Sequence, residues 1–302
     1  MKPTLLVLAA GMGSRYGGLK QLDAFGPSGE TIMDYSVYDA MKAGFGKVVF
    51  IIRQDFADEF KEKITSKYEG KIPVEVVFQS LDLLPEGYSI NPERSKPLGT
   101  AHAVWCARNV LDAPFAVINA DDFYGAGSFK IMADYLSQMD DESTARQVMV
   151  GYMVKNTLSE NGSVSRGVCG LNEDGTLGTI IERTKIYTRE DGKIVFEEDG
   201  IETELAPEAA VSMNMMGFSS STLKYFDSDL KAFLDVNAGE LKKEFFLPLV
   251  LNNLIQSGIS CVDVLTTPEQ WYGVTYPEDK PSVIESLNKK IEDGIYPTPL
   301  WK

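Results

Sequence analysis

Residues 5–23, LLVLAAGMGSRYGGLKQLD, decide how the rest of the chain is interpreted. Leu5 to Leu8 form a continuous apolar run, which is typical of a strand buried on both faces of a parallel sheet. Four glycines follow and leave backbone N–H groups uncovered, so that a phosphate can approach closely. Arg15 and Lys20 add two cations, for which a merely structural turn has no need. The pattern predicts a phosphate-binding loop after a first buried strand.

A dinucleotide-binding motif is the alternative for the same stretch, because the stretch contains G-x-G. That motif has its third glycine three residues after the second, directly before a helix. Here the glycine after Gly13 is Gly17, and the loop continues through Lys20 to a turn at FGPSGE. The spacing therefore disfavours a dehydrogenase.

The composition excludes several classes of protein. The 302 residues are 44% hydrophobic, enough to bury a core, and carry a formal net charge of −15. So acidic a surface repels nucleic acid and anionic membranes, and we expect neither as a partner. No run approaches the roughly 18 apolar residues that span a bilayer. Three well-separated cysteines in apolar surroundings, Cys106, Cys169 and Cys261, predict buried thiols in a reducing compartment. We expect a cytoplasmic protein and leave open whether copies associate into a homo-oligomer.

Strand-like and helix-like segments alternate through the first half of the chain. KVVFII and VEVVF are predicted strands with the amphipathic helix DFADEFKEKITSKY between them, and GTAHAVWCARNVL is a predicted helix before the buried strand PFAVINA. This alternation predicts an α/β fold with a doubly wound, mostly parallel sheet.

From about residue 147 the pattern changes. Short strands divided by D-G turns predict antiparallel hairpins, and helices return at residues 220–236, 244–258 and 280–294. We expect one domain over residues 1–302, with a nucleotide-binding half at 1–146. The second half, 147–302, would bind the second ligand and carry the C-terminal helices.

Polar residues follow the predicted strands where an open α/β sheet binds its ligands. Asp121 comes directly after PFAVINA, a position from which a carboxylate can hold Mg²⁺ against phosphates. Asp is also favoured as a helix N-cap, and Asp122 could serve either role. We choose Asp121 as the metal ligand.

A second polar motif is PLGTAHAV, residues 97–104. Gly99 and Thr100 begin a predicted helix, where free backbone N–H groups can bind a base edge or a phosphate. His102 is the single histidine of the chain, and no G-x-S-x-G motif accompanies it, which disfavours a Ser-His-Asp hydrolase. We expect His102 to be a helix-face residue near the site rather than a catalytic base.

Taken together, these motifs resemble the sugar-1-phosphate nucleotidyltransferase family, whose members make nucleotide-sugars. LAAGMGSRYGGLKQ is similar to the family's glycine-rich motif, LGTAHAV to its second nucleotide motif, INADDFYG to its metal motif and IIERTK to its sugar motif. The four occur in the family's order. The resemblance implies a glycosyltransferase-A-like variant of the Rossmann fold.

The resemblance also implies roles for individual residues on the nucleotide side. Gly13 and Arg15 would hold the β- and γ-phosphates, and Lys20 would lie against the α-phosphate. The base and ribose would contact a larger set, with Gln79 and Gly99 at the edge of a pyrimidine and Thr100 beside them: Leu8, Ala9, Ala10, Gly11, Gln79, Gly99 and Thr100.

On the acceptor side the sequence departs from the family pattern. Gly167, Glu182 and Asn214 would hold the sugar hydroxyls, as the resemblance implies. The usual lysine after the glutamate is Arg183 here, so either Arg183 or Lys185 would bind the sugar phosphate. A second metal ligand is expected where Thr275 and Tyr276 stand, and Asp279 is the nearest carboxylate, although an N-cap role suits it equally well.

The resulting hypothesis is nucleotidyl transfer from UTP or dTTP to a sugar 1-phosphate, giving a nucleotide-sugar and pyrophosphate. Arg15, Lys20 and Mg²⁺ on Asp121 would carry catalysis by neutralising charge, without a protein nucleophile. The alternatives are a cytidylyltransferase that acts on a non-sugar phosphate such as phosphocholine, a glycosyltransferase, and a non-catalytic nucleotide-sugar-binding protein.

Overall fold

The computed structural model describes residues 1–11, 22–274 and 276–301. The strands in these ranges are β1 (Thr4–Leu8), β2 (Lys47–Ile52), β3 (Val74–Phe78), β4 (Phe115–Asn119), β5 (Asp122–Phe123), β6 (Arg146–Met153), β7 (Val164–Leu171), β8 (Leu177–Thr188), β9 (Ile194–Glu198), β10 (Ile201–Leu205), β11 (Ala210–Phe218), β12 (Cys261–Thr267) and β13 (Tyr272–Gly273). The helices are α1 (Ile32–Ala43), α2 (Ala57–Lys63), α3 (Thr100–Cys106), α4 (Ala126–Gln138), α5 (Leu223–Asn237), α6 (Leu247–Gln256) and α7 (Lys280–Glu292).

The first half of the chain forms the parallel part of an 11-stranded sheet, as the sequence predicts. Strands lie in the order β4-β1-β2-β3, and all three neighbouring pairs are parallel. Because side chains alternate along a strand, Leu5 and Val7 pack on one face with α1 and α4. Leu6 packs on the other face with α3, α5 and α6. Both faces of β1 are thus covered, which explains its unbroken apolar run.

The second half adds antiparallel strands, and the predicted hairpins are confirmed. The run β11-β7-β8-β9-β10 is antiparallel throughout, and β11 joins it to β4 of the parallel part. β6 also pairs with β11, and β12 lies parallel to β6 at an edge of the sheet. The sequence analysis did not identify β12, and Cys261, which it expected to be buried, is exposed at the start of this edge strand. The fold is therefore a mixed α/β sheet with strands from both halves of the chain.

Two predicted helices are shorter than expected. In DFADEFKEKITSKY only residues 57–63 are α-helical, and 3₁₀ turns lie on either side. The β-branched Ile64 and Thr65 follow the helix and disfavour its continuation. In GTAHAVWCARNVL the helix ends at Cys106. The N–H of Arg108 then bonds to the carbonyl of Trp105 at 3.2 Å, an i→i+3 bond that tightens the chain into turns.

A third apolar cluster ties the last described residues to the first helix. Tyr296 and Leu300 pack with Tyr35 of α1. The Trp301 indole donates to the Oδ1 of Asp34 at 3.2 Å, and the N–H of Leu300 donates to the Oε1 of Glu30 at 3.1 Å. Residues 295–301 therefore support the segment that begins α1.

No helix among residues 1–11, 22–274 and 276–301 is both long enough and apolar enough to cross a bilayer.

Candidate active site

A polar cavity of about 270 Å³ lies where strands from both halves of the chain end or meet. Asp121 and Asp122 reach it from the end of β4, and Gly167, Glu182 and Asn214 reach it from β7, β8 and β11. Gly167 pairs with Glu182 across β7 and β8, and with Ser212 of β11. Four of the residues predicted to bind the metal or the acceptor thus line one cavity: Asp121, Gly167, Glu182 and Asn214.

Two backbone features shape this cavity. A Cβ added at Gly167 would lie 2.7 Å from Cγ2 of Ile180, so a larger residue would displace the cavity wall. Asn214 has a φ of +62°, at a register shift in β11 between Ser212 and Met216. A bulge of this kind redirects side chains, and asparagine tolerates the left-handed conformation better than most residues.

The paired carboxylates do not cap a helix. The helix that follows, α4, has Gly125 at its N-cap and no side-chain cap. Oδ2 of Asp122 accepts hydrogen bonds from Asn119 Nδ2 at 2.8 Å and from the Tyr124 hydroxyl at 3.3 Å. The alternative that Asp121 or Asp122 caps α4 is therefore wrong, and both residues line the cavity.

Magnesium fits this position chemically. Mg²⁺ prefers carboxylate oxygens and retains water or phosphate oxygens as its remaining ligands. Among the described residues no group of three or more histidine, cysteine or acidic side chains converges as a metal cluster. Asp121 and Asp122 both present carboxylate oxygens of the preferred kind at the cavity.

Arg166 is a site residue that the sequence analysis missed. It lines the cavity beside Gly167, is 7% exposed, and its guanidinium lies 4.7 Å from the centre of the Trp271 ring. Burial lowers the pKa of Arg166 to about 10, against the opposing effect of Asp122, Glu182 and Asp279. Burial also penalises the charged form of Glu182 and so raises the pKa of this carboxyl. The positive charge of Arg166 acts in the opposite direction. Its position next to the predicted Gly167 was the one available signal.

The predicted phosphate-binding cations of β8 face away from the cavity. Arg183 pairs with Glu198 at 2.6 Å and lies over the Phe196 ring, whereas Lys185 pairs with Glu197 at 2.6 Å. Neither lines the cavity. Alternation along β8 explains this, because the side chain of Arg183 points to the face opposite that of Glu182. That one of them binds the acceptor phosphate stays a prediction, and the structure places neither beside the other predicted acceptor residues.

The Asp279 carboxylate accepts hydrogen bonds from neighbouring segments of the chain. Its Oδ1 accepts from Ser159 Oγ at 2.7 Å and from Asn161 Nδ2 at 2.8 Å. Its Oδ2 accepts from the N–H of Tyr276 at 2.8 Å, which completes a capping box before α7. Asp279 does not line the cavity, and its role as a second metal ligand stays a prediction.

On the nucleotide side, the structure describes only part of the predicted set. Ala9 and Ala10 are buried at the end of β1, Leu8 is half-buried and Gly11 is exposed. Gly13, Arg15 and Lys20 lie outside the described residues, as does Thr275.

Gln79 and His102 form one hydrogen-bonded unit with Gly99. Gln79 Nε2 donates to the Gly99 carbonyl at 3.0 Å and lies 3.2 Å from Nδ1 of His102. The other ring nitrogen, Nε2, lies 2.8 Å from the Leu83 carbonyl, which can only accept, so Nε2 carries the proton. Burial lowers the pKa of His102 to about 4, so the ring is neutral and Nδ1 accepts from Gln79. This agrees with the expectation of a helix-face histidine.

The helix start at Gly99 is held by a loop from the second half of the chain. Gly99 has a φ of +112°, and a Cβ there would lie 2.5 Å from the Phe245 carbonyl. The N–H of Ala101 donates to that carbonyl at 3.0 Å. The Thr100 hydroxyl accepts from the N–H of Leu247 at 3.0 Å, so this predicted nucleotide ligand also joins α3 to α6.

Arg94 joins the loop before α3 to the loop before α6. This side chain is 5% exposed and donates to four backbone carbonyls, with two on each loop: those of Lys96, Pro97, Glu240 and Lys243, at 2.7, 2.9, 2.8 and 2.7 Å. A guanidinium can make this many bonds because its donors form a fixed planar fork.

The sheet order defines a doubly wound α/β protein, a class of fold that binds its ligands at the carboxyl ends of the strands, where this polar cavity lies. Residues 5–222 match the family model described as nucleotidyl transferase, and the chain belongs to that family. The resemblance inferred from four motifs is thereby confirmed.

Individual relatives are more distant. The chain is 26% identical over 190 residues to a UTP--glucose-1-phosphate uridylyltransferase of Bacillus subtilis (strain 168). The matched segment spans 51% of this chain and 63% of that protein.

Solved structures resemble the chain over nearly its whole length. The inositol-1-phosphate CTP transferase from T. maritima superposes with a TM-score of 0.64 at 16% identity, covering 97% of each chain. A UDP-glucose pyrophosphorylase complexed with UDP-glucose superposes with a TM-score of 0.60 at 15% identity, covering 96% of this chain and 100% of that chain. At these identities the likeness establishes a shared fold.

Proposed function

We propose that the protein transfers a nucleotidyl group from UTP or dTTP to a sugar 1-phosphate, giving a nucleotide-sugar and pyrophosphate. The supporting observation is the cavity in which Asp121 of the first half meets Gly167, Glu182 and Asn214 of the second. In this proposal the two halves act as one domain, residues 1–146 on the nucleotide and residues 147–302 on the acceptor.

The reaction needs no nucleophile from the protein. An oxygen of the acceptor phosphate attacks the α-phosphorus in line, the bond from that phosphorus to the bridging oxygen breaks, and pyrophosphate leaves with the electron pair. Burial raises the pKa of both Cys106 and Cys169 to about 12, which makes their thiols poor nucleophiles at neutral pH. His102 is neutral and occupied by hydrogen bonds.

Catalysis then depends on positioning and on charge. Asp121, with Asp122 beside it, would hold Mg²⁺, which when bound neutralises negative charge on the phosphates. Glu182 and Asn214 would accept and donate hydrogen bonds to acceptor hydroxyls. Arg15 and Lys20 would bind the triphosphate, a role that follows from the sequence alone.

The choice of base follows from the orientation of Gln79. Both N–H groups of its amide are directed at acceptors, the Gly99 carbonyl and His102 Nδ1. The remaining atom, Oε1, can only accept, so it suits the N3–H of uracil or thymine. The N3 of cytosine carries a lone pair instead and would repel Oε1. This supports UTP or dTTP over CTP, because a mismatched polar group at a binding site is costly.

The test is pyrophosphate release by the purified protein with Mg²⁺, over a matrix of triphosphates and acceptors. UTP, dTTP, CTP, ATP and GTP would each be combined with glucose 1-phosphate, inositol 1-phosphate and phosphocholine. We expect release with UTP or dTTP and a sugar 1-phosphate, at least tenfold faster than with CTP. Preference for CTP with a non-sugar phosphate would establish the cytidylyltransferase alternative, and binding without release would establish a nucleotide-sugar-binding protein.

A further inference from the structure

The acceptor cavity has an uneven distribution of charge. Three carboxylates line it, on Asp121, Asp122 and Glu182, whereas Arg166 is the one positively charged side chain among its described lining residues. A phosphate monoester entering this cavity meets like charge on most sides. A cation bound by the carboxylates can offset part of that repulsion, but the protein's own wall must offer a donor to the phosphate as well.

The guanidinium of Arg166 is anchored but not saturated. One terminal nitrogen, Nη1, donates to the Ser165 carbonyl at 2.8 Å, and Nη2 donates to the Thr157 carbonyl. A guanidinium has five N–H donors, so three remain. Nε is buried and has no partner among the described residues, and the same is true of Nε1 of the neighbouring Trp271.

Unpaired buried donors are uncommon because each has lost its hydrogen bonds to water without gaining a partner in the protein. Two of them in adjacent side chains, packed 4.7 Å apart in the wall of a ligand cavity, favour an incoming oxygen ligand. The anchors at Ser165 and Thr157 fix the orientation of the guanidinium, so little entropy is lost when a ligand binds.

We infer that Arg166 binds the phosphate group of the acceptor, with Trp271 packed against the guanidinium to hold it in place. The planar fork of arginine matches two phosphate oxygens. This inference rests on the proposed function for its acceptor, a phosphate monoester of a sugar or polyol, and assigns the recognition of its charge to β7 rather than to β8. Arg183 pairs with Glu198 and does not line the cavity.

Binding measurements can test this without turnover. Glucose 1-phosphate, inositol 1-phosphate, glucose and inositol would be titrated by calorimetry into the protein with Mg²⁺ and a non-hydrolysable UTP analogue. We expect at least one phosphate ester to bind and its uncharged parent not to bind measurably. Arg166→Met should weaken the phosphate ester about 10- to 100-fold, which corresponds to the loss of charged hydrogen bonds.

Arg183→Met is the matched control, because it removes the arginine directly opposite Arg166 on the neighbouring strand, which pairs with Glu198 and does not line the cavity. It should leave acceptor binding within twofold of the unmodified protein. Arg166→Lys covers the case in which Arg166→Met does not fold, since it keeps the charge but loses the fork. We expect an intermediate loss, with thermal unfolding checked for each variant.

Equal binding of the phosphate ester by Arg166→Met or Arg166→Lys and by the unmodified protein would overturn the inference. So would binding of glucose as tight as that of its phosphate, or no binding of either phosphate ester. The two proposals fail separately. Arg166-dependent phosphate binding without pyrophosphate release would leave the inference standing and remove the proposed function, whereas release with an acceptor KM unchanged in Arg166→Met would do the reverse.

Discussion

The Tyr296 hydroxyl donates a hydrogen bond of 2.8 Å to Oδ2 of Asp39, a carboxyl on α1 that is 3% exposed. Burial raises the pKa of Asp39 to about 7, and the negative charge of Glu269 adds to this, while Tyr296 and the ammonium of Lys290 act in the opposite direction. A carboxyl group in the apolar cluster around Tyr35 and Tyr296 is therefore protonated well above its ordinary range.

This pKa makes stability depend on pH with a defined sign. Below pH 4 Asp39 is protonated in both the folded and the unfolded chain. As the pH rises toward 7, the unfolded chain ionises and the folded chain does not, so the free energy of unfolding falls. Asp39→Asn does not titrate. The free energy of unfolding of Asp39→Asn minus that of the unmodified protein should therefore be larger at pH 8 than at pH 5. We expect an increase of roughly 1–3 kcal/mol.

Urea unfolding at the two pH values measures this difference. Asp191→Asn, at an exposed turn, serves as the control and should show no comparable change. A pH-independent difference between Asp39→Asn and the unmodified protein would mean that Asp39 is ionised in the folded state.

His102 should influence the choice of base and not the chemical step. His102→Ala removes the acceptor that orients the Gln79 amide, so the preference for UTP over CTP should fall by about 3- to 10-fold, comparable to one neutral hydrogen bond. His102→Asn offers Gln79 a carbonyl oxygen in place of Nδ1 and should retain more of the preference.

Kinetics separate this role from that of a base. The KM for the triphosphate should rise in His102→Ala while the KM for the acceptor is unchanged. Because the pKa of His102 lies near 4, the pH–rate profile of kcat should have no inflection near 6.5 that the substitution removes. Loss of such an inflection would identify a catalytic base.

Arg94 should position the nucleotide side of the site from a distance. Arg94→Met leaves four backbone carbonyls without their donor and should lower the free energy of unfolding by about 2–5 kcal/mol. It should also raise the KM for the triphosphate more than the KM for the acceptor, because the loop that carries Gly99 loses its support.

Arg146→Met provides the comparison for Arg94. Arg146 pairs with Asp263 at the edge of the sheet, at 2.5 Å and largely exposed, so its loss should cost less than about 1 kcal/mol. Equal stability losses in both variants, or equal effects of Arg94→Met on the two KM values, would contradict a positioning role.

Substitutions of Asp121 and Asp279 should have opposite effects on kcat and on the melting temperature. Asp121→Asn should lower kcat by about 10²-fold or more without a large change in melting temperature, because it removes a charge that would bind Mg²⁺. Asp279→Asn should instead lower the melting temperature and leave kcat nearly unchanged, since Asp279 completes the capping box of the turn before α7 and accepts hydrogen bonds from Ser159 and Asn161. Calorimetry should find weak binding of Mg²⁺ to the nucleotide-free protein, and tight binding there, or an equal loss of kcat in both variants, would contradict this.

The sequence could predict whatever depends on local pattern. The apolar run at Leu5–Leu8 identified a doubly buried strand, and Asp121 was chosen because it follows such a strand directly. Gly167, Glu182 and Asn214 came from a motif resemblance and do lie around one cavity.

What the sequence could not predict depends on strand register and on contacts between distant segments. Arg183 and Glu182 are neighbours in the chain, yet alternation along β8 places their side chains on opposite faces of the sheet. Arg166 looks like an ordinary surface arginine until β7 and Trp271 enclose it. Arg94 gains its four carbonyl partners only because residues 240–243 fold back beside it.

The contacts of Trp301 and Leu300 with the first helix also set an order of events during synthesis. Asp34 and Trp301 are 267 residues apart in the chain, and a ribosome that adds about 5–20 residues per second needs roughly 13–53 s to make that interval. Until then Asp34 and Glu30 each lack one of their hydrogen-bond donors, the Trp301 indole and the Leu300 N–H. The growing chain also lacks Tyr296 and Leu300, which pack with Tyr35 of α1 in the folded protein, and this is the interval in which a chaperone would find that apolar surface uncovered.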